Sequence, residues 1–403
     1  MTCTRPGTTP QGGVHATVLV AAILLMAISL RGPIVAVSPV LDIISADLGI
    51  GAATAGLFTS LPVLCFGLAT PAASVLLARA GLARGVSVSL LLLVAGIVLR
   101  SLDGLSAALA GTLLLGVAIT VGNVAVPVVI AGDLAHRAGA VLGSYTAALN
   151  VGSMLTLSLT APLAAVVGWR TAVASWSVLV LAALVVWVYA TRGGLRSSAR
   201  ADGAPADGGD ARRWWRRPVV WGLTAAFVGQ AFAYYGITAW LPLLLRDELG
   251  MDPGAAGLGA SIFQIAALIG ALGVPVLLRV LRGPRVVVLI VSATWTTMPL
   301  GLLFALPLWP VWCVLGGVAQ GGGLVVVFAL VVARARDLVE NRRMSALVQG
   351  GGYTLAATGP TVVGAVHEAT EGWTAPLLVV LAAIALLAVA GTASAGGPRA
   401  TPS

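Results

Sequence analysis

The residue with the most chemical reach in this chain is Arg31, which stands in an apolar stretch and is followed by Gly32 and Pro33. Charge embedded in apolar sequence is expensive and usually functional. A permanently charged, planar donor suits a small anion or a carboxylate. The competing reading is an arginine that reaches back to the outer interface or pairs with a neighbouring carbonyl. No Asp or Glu stands deep in any apolar stretch, and Asp42 and Asp133 fall at ends. A buried-carboxylate proton relay is therefore missing. Coupling would need another group, the solute's own proton, or no ion.

Neutral polar residues form a second tier. They are Asn123 ahead of Pro127, Tyr145, Asn150, Tyr234, Trp240, Gln264, Gln349 and Tyr353, with Gln230, Tyr235 and Gln320 at similar depth. A ligand pocket needs a few convergent polar groups in an apolar wall, and these would supply them. Each would otherwise make an interhelical hydrogen bond, often worth less than ~1 kcal/mol. Cys3, Cys65, Cys313 and three scattered histidines fit no metal site or disulfide framework. No metal or other cofactor is expected. No nucleophile or carboxylate cluster marks an enzyme, and no loop is long enough for a sensor's output domain.

These residues must be held by apolar helices. Hydrophobic residues make up 59% of the 403, charged residues only 9%, and the mean hydropathy is +1.01. A soluble domain carries about 25% charged residues, so lipid must solvate most of this surface. The net charge of +9 does not indicate nucleic acid, because the arginines sit in short clusters between apolar stretches. Twelve stretches reach the ~20 residues that cross a bilayer: 16–38, 51–78, 85–102, 107–131, 139–166, 171–191, 218–245, 254–280, 285–306, 308–333, 344–366 and 373–392. Arg31 then lies roughly 22 Å along the first, outside the midplane, at ~1.5 Å per residue.

Nineteen of the 23 basic residues, all arginines, fall on one side if the N-terminus is cytoplasmic; Arg100, Arg170 and Arg246 fall outside. Both termini are thus expected in the cytoplasm. The expected units are a tail over 1–15, a six-helix half over 16–191, a linker over 192–217, a second half over 218–392 and a tail over 393–403. The linker's middle, Ser197–Gly209, reads as disordered, and its Arg-Trp-rich end suits an anionic leaflet.

The halves repeat. Asp47-Leu-Gly returns as Glu248-Leu-Gly, Gly116-Val-Ala as Gly317-Val-Ala, and Gly168-Trp169 as Gly372-Trp373. The offsets stay between 201 and 204. Under this repeat Arg31 faces Tyr234, and Asn150 matches Tyr353. Parallel repeats place a solute site between them, with alternating access by rocking. The fold class expected is an all-α membrane protein of twelve helices in two six-helix repeats.

That architecture resembles the major facilitator superfamily. The superfamily's loop motif between spans two and three, G-x-x-x-D-R-x-G-R-R, is met by Arg79 and Gly81, a gating loop, but Ala78 replaces its Asp. Within the superfamily the chain is similar to the cyanate permease and 2-nitroimidazole transporter family. The resemblance runs through Leu30–Pro39, Gly122–Pro127, Gly143–Tyr145, Ala239–Pro242, Met344–Tyr353 and Gly359–Pro360. It implies transport of a small anion or small nitro-heterocycle across a bacterial inner membrane by a single chain. The alternative is a proton-coupled multidrug efflux carrier of the same fold.

Overall fold

The computed structural model describes residues 11–195, 214–281 and 283–396. The first ten residues, the linker's middle and the last seven residues lie outside the described residues.

The first half contains α1 (Gln11–Val35), α2 (Leu41–Leu48), α3 (Ala52–Ala55), α4 (Leu57–Leu68), α5 (Thr70–Ala80), α6 (Leu82–Arg100), α7 (Leu105–Asp133), α8 (Ala138–Val167), α9 (Trp169–Ser175) and α10 (Ser177–Thr191). The second contains α11 (Pro218–Leu249), α12 (Pro253–Val280), α13 (Pro284–Phe304), α14 (Trp309–Arg334), α15 (Leu338–Ala356), α16 (Thr358–Thr370) and α17 (Thr374–Ala395). Among the described residues, ten stretches are helical, long and apolar enough to cross a membrane, the first being Ala16–Leu48. The bent pair from Ala52 to Ala80 makes the eleventh. Consecutive α15 and α16 cover the remaining expected stretch, 344–366, without a helix that is long and apolar enough to cross. Glu340, Asn341 and Arg343 enter the first turns of α15, so its composition is the most polar.

Breaks follow sequence. α4 and α5 meet at 61°, where Pro71 opens α5 just after Ala69, and proline cannot donate to the preceding turn. α15 gives way to α16 just ahead of Gly359-Pro360. α1 stops at Val35, two residues past Pro33, and a short 3-10 turn (Ser38–Val40) leads into α2. Outward-facing side chains such as Val166, Leu272 and Phe304 are left exposed, as suits a molecule with lipid for its solvent.

The repeat is visible in the geometry. α2 and α11 end on Gly49 and Gly250, both left-handed with φ of +63°, the cap that glycine adopts without strain. Trp169 donates through Nε1 to Asp47 at 3.2 Å, and Trp373 donates likewise to Asp247 at 3.0 Å. The start of α11 and the end of α17 lie together on one face, where a Cβ on Gly222 would stand 2.4 Å from the Ser394 hydroxyl. The opposite, far face holds the α2–α3 turn and the ends of α11 and α16.

At the far face the halves are tied together. Arg246 Nη1 pairs with Asp42 at 2.5 Å, linking α11 to α2. Glu368 on α16 accepts from Ala53 N at 3.2 Å, and Ser60 meets Thr361 at 2.9 Å. Backbones touch here. A Cβ on Gly56 would stand 2.7 Å from Pro360 O, and one on Gly257 2.2 Å from Leu157 O. Toward the opposite face the contacts are mixed. A Cβ on Gly143 would meet nothing within 4 Å, whereas one on Gly67 would stand 2.6 Å from Gly350 O.

Candidate functional site

The site is built on the broken end of α1. Three neighbours fix the last turns of that helix. On α8, Gly152 would bring a Cβ within 2.2 Å of Ile28 O, so the two backbones touch, and Gly32 packs against Thr156. On α7, Gly122 receives the Leu30 side chain, 2.8 Å from where a Cβ would be. Small residues allow such approach between membrane helices. With those faces occupied, Arg31 turns toward the second half. Its Cζ lies 4.7 Å from the centroid of the Tyr234 ring on α11.

The sequence expectation put Arg31 outside the midplane of a span over 16–38. In the structure the first apolar helical stretch runs on through α2, over 33 residues from Ala16 to Leu48. Arg31 stands at the middle of that stretch, as Tyr234 does in α11. Arg31 is half-buried, and no carboxylate pairs with it among the described residues. The described acidic residues sit at helix ends and turns.

The hydroxyls of Tyr234, Tyr235 and Tyr353 lie within electrostatic range of the guanidinium, and so does that of Tyr145. Tyr145 donates to Asn123 Oδ1 at 3.3 Å, joining α8 to α7. Tyr234 donates to Gln264 Oε1 at 3.2 Å, and Gln264 donates on to Thr238 at 3.2 Å. Rings close the wall: Tyr353 meets Phe227 edge-on at 4.9 Å and Phe66 at 5.5 Å, and Tyr234 meets Tyr235 at 4.8 Å. Gln349, half-buried, lies one helical turn before Tyr353 on the same face of α15.

The arrangement is a single cation facing a half-ring of phenols and amides. An uncompensated guanidinium in a low-dielectric wall favours a negative partner. Phenol hydroxyls and an amide supply neutral hydrogen bonds, and aromatic faces suit a flat solute.

Two expected residues stand apart. Asn150 donates to Thr146 O of its own helix at 2.9 Å. Trp240 donates to Pro360 O at 2.8 Å and lies beside His367 and Trp373. That is six residues, or ~9 Å, beyond Tyr234 toward the far face. Arg79 ends α5, is exposed and makes no ion pair among the described residues, while Gly81 turns the chain into α6 with φ of +77°.

Sequence reasoning left out Phe66 and Phe227, whose ring contacts across helices have no local signal. It also counted Arg100 on the outer side without reading it as embedded. Arg100 is 1% exposed and donates to Pro33 O at 2.8 Å. Arg31 is therefore not the sole embedded charge.

The model of the Major Facilitator Superfamily matches residues 17–282. The 2-nitroimidazole transporter of Escherichia coli (strain K12) is 30% identical over 392 residues, covering 97% of this chain and 98% of that one. The cyanate transport protein CynX of the same organism is 25% identical over 360 residues, covering 87% and 90%. Among solved structures, a bacterial homologue of the human lysosomal transporter Spinster, in an inward-facing and unoccupied conformation, superposes with a TM-score of 0.74 at 15% identity, over 96% of this chain and 98% of that one. The protein is thus a multi-pass membrane transporter of small solutes rather than an enzyme, and the chain belongs to the major facilitator superfamily, in the group that holds the 2-nitroimidazole and cyanate transporters.

Proposed function

We propose that this transporter carries a small, flat anion or nitro-heterocycle, and that Arg31 is the electrostatic anchor. The observation that supports this most is the guanidinium at mid-span, over the Tyr234 ring and with no carboxylate paired to it. Tyr145, Asn123, Tyr234, Tyr353 and Gln349 orient the solute through hydroxyl and amide groups. Gln264 acts behind Tyr234. The names of the two curated relatives point to the same kind of solute, a small anion in one case and a nitro-heterocycle in the other.

The rest of the cycle is read in the same way. The halves 16–191 and 218–392 rock about the site as a single chain, with both termini and the 192–217 linker in the cytoplasm. The far-face ties then close the outer side, and the open space beside Gly143 is the cytoplasmic approach. Asn150 and Trp240 support helices rather than touch solute.

Counterflow in proteoliposomes tests the reading. Vesicles loaded with cyanate, nitrate, small carboxylates or 2-nitroimidazole should exchange at least one of these through the wild type and not through Arg31→Gln. Exchange of lipophilic cations instead, driven by a proton gradient, would favour the efflux carrier.

A further inference from the structure

Arg100 costs more than it returns as a structural element. It closes α6 with its side chain turned into the protein, 1% exposed. Nη1 donates to Pro33 O at 2.8 Å, while Nε and Nη2 are buried without a partner. The nearby acid Asp103 is engaged elsewhere, by Arg170 and Gly104 N. Glycines seal the surroundings, since a Cβ on Gly111 would stand 2.2 Å from Arg100 N. Replacing a buried, incompletely paired charge by an apolar side chain of similar volume is often neutral or stabilising, so packing alone gives no account of this arginine.

Its single bond explains it better. In a continuing helix Pro33 O would accept from residue 37, but α1 ends at Val35. The neighbours α7 and α8 hold α1 through Leu30, Gly32 and Ile28, by steric contact up to residue 32. Residues 34–40 are buried beyond that point and carry the local backbone bonds Ala36 N to Gly32 O and Val40 N to Val37 O. Among the described residues, the side-chain hydrogen bond that reaches the broken end from another helix is the one from Arg100. Arg31 lies two residues before Pro33, so the set of its backbone depends on where that end is held.

We propose that Arg100 is a positioning residue: it pins the broken end of α1 through Pro33 O and thereby aims Arg31 at the solute. This rests on the reading of Arg31 as anchor.

Arg100→Met and Arg100→Lys test it, alone and with Arg31→Gln, in proteoliposome transport of cyanate and 2-nitroimidazole. Arg100→Met should melt at or above the wild-type temperature, raise KM at least tenfold and change the maximal rate less than threefold. Arg100→Lys, which keeps one donor for Pro33 O, should recover most of the affinity. In the Arg31→Gln background Arg100→Met should add nothing further. Hydrogen exchange gives a readout that needs no solute. Amides of residues 32–40 should exchange at least tenfold faster in Arg100→Met and return toward wild type in Arg100→Lys, while α6 and α7 stay protected. Unchanged exchange over 32–40 would overturn the proposal, as would a melting temperature lowered together with a fall in rate that Lys does not rescue. If Arg31→Gln transports normally while residues 32–40 loosen in Arg100→Met, the anchor reading fails and the pinning of α1 stands.

Discussion

At the scale of single residues, the site separates groups that face solute from groups that hold helices. Arg31 offers charge and a planar fork, and losing a buried, hydrogen-bonded charge partner typically costs about 2–5 kcal/mol. Arg31→Gln should therefore weaken binding on the order of thirtyfold or more, with folding intact by size-exclusion and thermal melting. Tyr234 has two roles that substitutions can split. Tyr234→Phe keeps the ring under the guanidinium and loses the bond to Gln264, a change of about 0.5–1.5 kcal/mol. Tyr234→Leu removes the ring as well and should bind clearly more weakly; equal affinities in the two variants would show that the ring face contributes nothing. The pairing of Arg31 with Tyr234 was legible in the sequence because the repeat offset sets them at matching depth. The inward turn of Arg100 was not. An arginine at the end of an apolar run reads the same whether it reaches water or a neighbouring carbonyl. Nor does spacing say which side of a helix is occupied, so Asn150 and Trp240 could not be told from Tyr145 and Tyr353.

At the scale of elements, glycines decide how closely helices meet. Gly152 sits where a Cβ would stand 2.2 Å from Ile28 O, and that neighbour is backbone and cannot rotate away. Gly152→Val should destabilise the purified protein by about 1–3 kcal/mol through overpacking and displace α1. Gly143 is the control, with nothing within 4 Å of its Cβ position. Gly143→Ala should raise stability by roughly 0.5–1 kcal/mol through helix propensity. Equal melting temperatures for the two variants would contradict this packing. Most helices were legible from apolar length, since ten stretches, and an eleventh as a bent pair, have their counterparts among the described residues. The continuation of the first span through α2 was obscured by Gly32, Pro33 and Pro39, which signal a break without saying whether the chain resumes the same course. That one uncertainty set Arg31 toward the end of the 16–38 stretch, whereas it stands at the middle of the 33-residue one.

At the scale of the whole molecule, two similar halves enclose a site that is not symmetric. The first half supplies the cation and the second supplies most of the rings. The halves are held at the far face by Arg246 with Asp42, by Glu368 on Ala53 N and by Ser60 with Thr361. The Arg246–Asp42 pair is only partly buried, and a solvent-accessible ion pair is worth about 0.2–1 kcal/mol, so Asp42→Asn should shift the balance toward the far-open state by about fivefold. Spin labels at Ile43 and Val362, both exposed, should show a longer-distance population growing by that amount; an unchanged distribution would leave the pair without a role in closure. The central claim is that Arg31, half-buried between the halves, selects the solute. Thermal stabilisation of purified protein against small anions and nitro-heterocycles, run in parallel on wild type and Arg31→Gln, tests it most directly. At a concentration a hundred times the Kd, a true ligand adds about 2.7 kcal/mol of stability. The account predicts that shift for the wild type with at least one small anion or nitro-heterocycle, and none for Arg31→Gln despite an equal unliganded melting temperature. A compound that stabilises both proteins equally would contradict it.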